Sequence, residues 1–169
     1  AQGVHLPSLR QLSGLAEVAA ICDLDLAKAK ALAATYAVPR TYTLHGEMLA
    51  AETLDAVFVL AEPDRIFRPT LDCLLAGKHV LMEKPPGLTS FQAATLLREA
   101  RKADRILAVG LNRRAIPLVR HVVERMRQLT PITQVNGRFI KHGTAAFCAG
   151  ALSAFVSDSI HAVDLVRWI

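Results

Sequence analysis

Aromatic residues and cysteines are scarce in this chain, and both shortages limit the kinds of core and of cysteine site that it can form. Only 5% of its 169 residues are aromatic while 52% are hydrophobic, which predicts an α/β protein with a core rich in Ala, Leu and Val. The three cysteines, Cys22, Cys73 and Cys148, lie far apart and form no Cys-x-x-Cys motif. This spacing predicts neither a metal site nor a disulfide framework, and it indicates reduced thiols in a cytoplasmic protein.

Long apolar runs and nucleic-acid-binding motifs are also missing. No apolar stretch approaches the roughly 20 residues of a membrane span, and the N-terminus lacks a basic-then-apolar signal pattern. The net charge of +5 suggests an anionic partner, but no aromatic residues interleave with the basic ones. The basic residues between Arg113 and Arg138 fall mostly on the expected polar face of a helix. We therefore expect no membrane and no nucleic-acid partner.

Strand and helix signals alternate from residue 17 to about residue 129, which predicts a doubly wound parallel sheet with helices on both faces. Near Thr130 the pattern changes, so residues 1–129 are expected to form one domain and residues 130–169 to begin a second, α+β domain. Expected strands are 17–22, 41–42, 54–60, 79–82, 105–109 and, in a different sheet, 132–140. Expected helices are 5–12, 26–36, 44–51, 67–77, 90–102, 117–129 and 159–169, with a loop at 141–154.

A first strand with a glycine-rich turn, as in a dinucleotide-binding fold, does not precede the helix at 5–12. Asp23 nevertheless directly follows the strand at 17–22. Its distance from Ala1 is close to the ~20 residues that separate the glycine-rich turn from the acidic residue in such a fold. The first strand is central in that fold, so the strands at 17–22 and 54–60 are each expected to lack a neighbour. We therefore expect an internal piece of a longer protein, marginally stable and inactive by itself.

Asp23 and Lys84 each follow a strand, at the edge where open α/β sheets bind ligands. Asp23 either accepts hydrogen bonds from an adenosine ribose or, together with Asp25, precedes the next helix as an N-cap. Lys84 ends the strand His79–Met82 and precedes Pro85-Pro86. It is either a surface lysine or an acid/base group in the ligand crevice.

His161 lies three residues before Asp164 on the last expected helix. The two side chains can therefore share a face, and the carboxylate can orient the imidazole. Spacing alone favours a packing histidine with an ordinary i,i+3 partner, since such pairs are common on helices.

Four stretches in this order and spacing carry a family resemblance that covers essentially the whole chain: Asp55–Pro63, Ala76–Pro85, Val109–Arg114 and Ile160–Ile169. They resemble the Gfo/Idh/MocA oxidoreductases, which include glucose–fructose oxidoreductase and inositol dehydrogenase. The Gly-Lys-His-Val-Leu-x-Glu-Lys-Pro motif is the most specific of them, and the Ile-His-x-x-Asp helix is a second, independent match.

This resemblance implies a Rossmann-type fold and a NAD(P)-dependent oxidoreductase that moves a hydride between nicotinamide and a hydroxyl-bearing carbon of a sugar, cyclitol or related compound. Lys84 resembles the family's catalytic lysine, with a cis bond to Pro85, and His161 resembles the histidine that exchanges a proton with the substrate hydroxyl. Asp23 favours NAD over NADP, because a carboxylate repels a 2′-phosphate. The whole protein is expected to form a homo-oligomer. The implied cofactor-binding residues are Ala1, Gln2, Asp23, Leu60, Glu62, Pro63, Glu83, Lys84 and Asn112.

The chain departs from the family pattern at three side chains. Ser157 stands where the family often has an aspartate, with Asp158 one step along; Phe67 stands where a histidine is common; and Glu62 replaces the usual threonine. The serine leaves room for an alternative, a non-catalytic nucleotide-binding sensor or regulatory protein on the same scaffold.

Overall fold

Helices and strands alternate along the chain in the predicted order. The computed structural model describes residues 3–140, 144–145 and 155–169. The described helices are α1 (His5–Gln11), α2 (Leu26–Tyr36), α3 (His45–Ala51), α4 (Phe67–Leu75), α5 (Ser90–Ala103), α6 (Pro117–Leu129) and α7 (Ile160–Trp168). The strands are β1 (Ala20–Cys22), β2 (Arg40–Tyr42), β3 (Ala56–Val59), β4 (His79–Met82) and β5 (Leu107–Val109). A 3-10 turn, Asn112–Ala115, precedes α6, and a π-helical turn, Phe155–Ser159, precedes α7.

The strands form two parallel sheets. β1 pairs with β2, while β3, β4 and β5 form a three-stranded sheet with β4 in the middle. In residues 3–140, no strand lies between β1 and β3, so each of these two strands has an edge without a strand partner. The prediction that they lack a common neighbour is thereby confirmed. Near the open edge of β3, the His5 ring of α1 packs edge-on against Phe58, with 5.9 Å between ring centroids.

The main hydrophobic core lies between the three-stranded sheet and the helices α4 and α5. Val80 and Met82 point inward along β4 and are buried. They belong to one cluster with Leu74 of α4 and Leu96 of α5, which are both fully buried. Because β4 is hydrogen-bonded on both edges and packed on this face, its carboxyl end is fixed in position.

Local signals set the ends of several helices. The Asp25 carboxylate accepts hydrogen bonds from the backbone N–H groups of Ala27 and Lys28 and so caps α2. Thr89 caps α5 in the same way, as predicted. After α4 the chain turns at Gly77, whose φ of +72° suits a residue without a side chain.

The prediction of a strand at residues 132–140 is wrong, because this segment is irregular. A strand needs a partner for its backbone N–H and C=O groups, and no described residue pairs with this segment. Pairing also shortens the strands predicted at 17–22, 54–60 and 105–109, since each ladder extends over only three or four residues. Of the loop predicted at 141–154, only residues 144–145 lie within the described residues.

Helix α6 begins at Pro117 as predicted, but its apolar stripe faces outward. The four residues of this stripe are 41–71% exposed, whereas Val123 is buried. They are Leu118, Val122, Met126 and Leu129. The second domain predicted for residues 130–169 stays a prediction.

Candidate functional site

Most of the predicted site residues follow the carboxyl ends of four strands. In open α/β folds, ligands bind beyond the carboxyl ends of the parallel strands. The described residues at these ends are Asp23 after β1, Leu60, Glu62 and Pro63 after β3, Glu83 and Lys84 after β4, and Asn112 after β5. Ala1 and Gln2, also predicted to bind the cofactor, lie outside the described residues.

Glu83 connects the end of β4 to α1. Its Oε1 lies 3.0 Å from His5 Nε2, and its Oε2 accepts a 3.2 Å hydrogen bond from the backbone N–H of Lys84. Gly110, after β5, lies next to this carboxylate, since a Cβ there would be in van der Waals contact with Glu83 Oε2 at 3.4 Å. His5 could not be predicted from the sequence, because its partner lies 78 positions away and no motif marks the pair.

Lys84 leaves β4 next to a buried proline. The Lys84–Pro85 peptide bond is cis, which confirms that prediction, and Pro85 is fully buried. Lys84 itself is half-buried. Lysines that only terminate a strand are mostly exposed, so this partial burial favours the acid/base interpretation over the surface one.

His161 lies at the start of α7, within electrostatic reach of the end of β4. Its Nδ1 is buried and has no hydrogen-bond partner in the described part of the chain. Burial lowers the pKa of the imidazole, the charges of Lys84 and Arg113 lower it further, and those of Asp158 and Glu83 oppose them. The structure thus brings together the two residues predicted to be catalytic, and it favours a neutral imidazole that can accept a proton.

The spacing left open whether Asp164 orients the His161 imidazole, and in the structure the Asp164 carboxylate binds an arginine instead. Asp164 is 8% exposed and pairs with Arg114. Arg114 Nε donates a 2.7 Å hydrogen bond to Asp164 Oδ2, and Arg114 Nη2 donates to Oδ1. A two-pronged, charge-assisted pair is stronger than one bond to a neutral ring, so the guanidinium holds the carboxylate. The sequence does not reveal this role, because nothing in it distinguishes Arg114 from the neighbouring basic residues.

Asp25, and not Asp23, caps helix α2. Asp23 Oδ1 accepts a 3.0 Å hydrogen bond from the Asp25 backbone N–H, and its Oδ2 lies 3.1 Å from Lys28 Nζ. Burial raises the pKa of the Asp23 carboxyl, but the Asp25 N–H and the Lys28 ammonium outweigh this effect, and the pKa lies below its ordinary value. An ionised carboxylate therefore stands at the end of β1.

Polar groups at the rim of the site are less constrained. Glu62 is exposed, and its backbone C=O accepts a 2.9 Å hydrogen bond from Arg65 N–H. Asn112 is also exposed and begins the 3-10 turn. Ser157 belongs to the π-helical turn, but its side chain lies outside what the structure describes, whereas the charge of Asp158 acts on His161.

A lysine ammonium beside a neutral imidazole suits chemistry on a hydroxyl group. The ammonium can donate hydrogen bonds to an oxygen and stabilise negative charge on it, and the imidazole can take its proton. Over the described ranges, no three His, Cys, Asp or Glu side chains converge as metal ligands. The same part of the chain contains no helix with the length and apolarity needed to cross a membrane.

Comparison with known proteins identifies the scaffold. Residues 1–111 match the family model described as an oxidoreductase family with an NAD-binding Rossmann fold. The chain belongs to the Gfo/Idh/MocA family. The resemblance drawn from its four motif stretches and the predicted fold class are therefore confirmed.

Curated relatives in the Gfo/Idh/MocA family include D-glucoside 3-dehydrogenase of Escherichia coli K12, which is 38% identical over 99 residues. That match covers 58% of this chain and 28% of the relative. Trans-1,2-dihydrobenzene-1,2-diol dehydrogenase of Sus scrofa is 28% identical over 103 residues, or 61% of this chain and 31% of the relative. The matched segment thus spans about a third of the length of these relatives.

Solved structures of dehydrogenases share the fold. The WlbA dehydrogenase of Chromobacterium violaceum, solved with NADH and UDP-GlcNAcA, has a TM-score of 0.81 at 24% identity, covering 97% of this chain and 50% of its own. The myo-inositol 2-dehydrogenase of Lactobacillus plantarum has a TM-score of 0.73 at 22% identity, covering 98% and 54%. At these identities the likeness establishes the Rossmann-type fold of the Gfo/Idh/MocA chain.

Proposed function

We propose that the protein carrying this chain is an NAD-dependent oxidoreductase acting on a CH–OH group of a sugar, cyclitol or related compound. The observation that carries the proposal is that Lys84, at the end of the central strand β4, lies within electrostatic reach of His161 on α7. Membership of an NAD-binding oxidoreductase family supports it. Named relatives that act on glucosides, dihydrodiols and inositol support the substrate class.

In this proposal, two residues act on the hydroxyl group of the substrate. The Lys84 ammonium donates a hydrogen bond to the substrate oxygen and stabilises its developing negative charge. The neutral His161 imidazole accepts the hydroxyl proton as the C–H bond releases its hydride and a carbonyl forms. Bound nicotinamide supplies the hydride acceptor.

The end of β1 fits the adenosine side of a dinucleotide. Asp23 is ionised and only partly buried, so its carboxylate can accept hydrogen bonds from ribose hydroxyl groups. Leu60, Glu62 and Pro63 after β3, with Glu83 and Asn112 at the neighbouring strand ends, would line the rest of the cofactor's path. The negative charge of Asp23 favours NAD over NADP.

The proposal is tested by assaying the intact protein with NAD⁺ and a panel of methyl glucosides, myo-inositol and a UDP-linked sugar acid. We expect NADH formation, followed by absorbance, with at least one panel member and not with its deoxy analogue. NADH binding without turnover of any hydroxy compound would instead favour the sensor alternative.

Asp23 is expected to set the cofactor preference. Replacing Asp23 by serine should weaken NAD⁺ binding by roughly 10- to 100-fold, because the hydrogen bonds to a charged acceptor are lost. Binding of NADP⁺ should weaken less or improve, since the repulsion of its 2′-phosphate is removed. Calorimetric titration of the intact protein with both dinucleotides measures the ratio of the two affinities.

Asp25 provides the matched control for this experiment. Asp25→Ala removes the cap of α2 and is expected to cost about 1 kcal/mol of stability. It leaves the Asp23 carboxylate in place, so the ratio of NAD⁺ to NADP⁺ affinity should stay that of the wild type. An unchanged ratio in Asp23→Ser would show that Asp23 does not select the cofactor.

A further inference from the structure

The ion pair between Arg114 and Asp164 joins the turn after β5 to the helix that carries His161. Arg114 belongs to the 3-10 turn Asn112–Ala115, and Asp164 lies on α7 about one turn beyond His161. We propose that Arg114 is a positioning residue that, through Asp164, holds α7 so that the His161 imidazole faces the end of β4. The inference rests on the proposed function, in which His161 accepts the hydroxyl proton.

The geometry of the Arg114–Asp164 ion pair suits it to hold α7 in a fixed orientation. Arg114 uses both Nε and Nη2, each on a different oxygen of Asp164. A planar guanidinium bound at two points restrains the orientation of its partner as well as its distance, which one bond from a lysine would not do. The pair therefore restrains the rotation of α7 about its own axis, and this rotation decides where the imidazole points.

Burial makes the helix depend on this arginine. The side chain of Asp164 is 7% exposed, while that of Arg114 is 44% exposed. A buried carboxylate without a cation is costly, so the loss of Arg114 would draw Asp164 toward solvent. Because Asp164 is part of α7, that movement would shift the whole first turn of the helix.

Among the described residues, no hydrogen bond to Nδ1 restrains the imidazole. Asp164 is engaged by Arg114, and His161 Nδ1 is buried without a partner among the residues described. The charged groups that act on the ring are Lys84 and Glu83 at the end of β4, Arg113 in the 3-10 turn and Asp158 in the π-helical turn. The orientation of the ring therefore follows the placement of α7.

Arg127 offers a matched control, because it contacts the other end of the same helix. Its Nη2 donates hydrogen bonds of 2.9 Å to Trp168 O and 2.8 Å to Ile169 O, and its guanidinium lies 5.8 Å from the Trp168 ring centroid. Its loss weakens the attachment of α7 to α6 far from His161. A general effect of loosening α7 would therefore appear in Arg127→Ala, whereas an effect on the imidazole would not.

The test is a pH titration of the His161 ring by NMR in the intact protein, with its signal assigned by its loss in His161→Asn. In Arg114→Ala and Asp164→Ala the pKa of His161 should rise toward its ordinary value, as the ring leaves its half-buried position near Lys84 and Arg113. Asp164→Ala is decisive, because it leaves no freed carboxylate that could itself raise the pKa. Arg114→Lys should give an intermediate shift, and Arg127→Ala should titrate like the wild type.

Kinetics give the second measurement, on the panel compound with the highest rate. We expect kcat to fall roughly tenfold to a hundredfold in Arg114→Ala and Asp164→Ala with the KM for NAD⁺ unchanged, since a small misplacement of a reacting group is this costly. Arg127→Ala should keep the wild-type kcat. If Arg114→Ala does not fold, Asp164→Ala and Arg114→Lys provide the test of the positioning role.

The outcomes separate this inference from the proposed function. If His161→Asn turns over substrate like the wild type, His161 is not the proton acceptor. The positioning role of Arg114 is then tested by the NMR titrations of the His161 ring alone. If His161→Asn loses activity but Asp164→Ala and Arg114→Lys both keep the wild-type titration and kcat, the positioning role of Arg114 is wrong. That role is equally wrong if Arg127→Ala shifts the titration as much as Arg114→Ala does.

Discussion

Replacing Lys84 by alanine is expected to lower the turnover of the intact protein by roughly 10²- to 10⁴-fold while NADH still binds. The expectation follows from the place of Lys84, which is half-buried after the central strand β4 and whose charge acts on His161. Without the ammonium, negative charge on the substrate oxygen has no fixed donor at this point. Initial rates of NADH formation, together with calorimetric titration with NADH, measure the two effects separately.

Lys78 is the matched control for Lys84, because the two lysines flank the same strand at opposite ends. Its backbone N–H donates to Cys73 O, and it precedes β4 at the amino edge of the sheet, away from the candidate site. Lys78→Ala should retain nearly wild-type turnover. Equal rates for Lys84→Ala and the wild type would disprove the catalytic assignment, whatever the cofactor affinity.

Replacing His161 by asparagine is expected to lower the rate of alcohol oxidation by roughly 10²- to 10⁴-fold and to flatten its pH profile. A base must be neutral to accept a proton, so wild-type kcat/KM should fall about tenfold per pH unit below the pKa of His161. Burial, followed by the charges of Lys84 and Arg113, lowers this pKa. The wild-type plateau should therefore extend below the ordinary histidine value of about 6.5.

The measurement is kcat/KM for the chosen hydroxy compound over the pH range in which the protein stays folded. His121→Asn serves as control, since His121 lies exposed on α6 and should leave the profile unchanged. A wild-type profile that breaks above the ordinary histidine pKa would contradict the environment described for His161. A profile that persists in His161→Asn would assign the break to another group.

The sequence was sufficient to predict the elements that depend on local signals. α2 and β4 have the predicted bounds, and α5 begins after the predicted Thr89 cap, because capping residues and apolar periodicity lie within one segment. The placement of Lys84 at a strand end follows from the same kind of signal. The cis bond to Pro85 was predicted from the family resemblance and not from such local signals.

Contacts between distant segments could not be predicted in the same way. The alternation at 132–140 resembles a strand, but pairing requires a second segment that no local pattern specifies. Asp164 had a plausible neighbour one helical turn away in His161, yet it binds Arg114, 50 positions distant. A local pairing rule cannot weigh a bidentate guanidinium that only the tertiary fold brings near.

The placement of Asp23 and Lys84 after different strands has a consequence for how such a protein can change. Asp23 follows β1, whereas Lys84 follows β4. A substitution at the proposed nucleotide-selecting position can therefore alter which dinucleotide is bound while the proposed reactive residue, and with it the oxidation of the alcohol, stays the same.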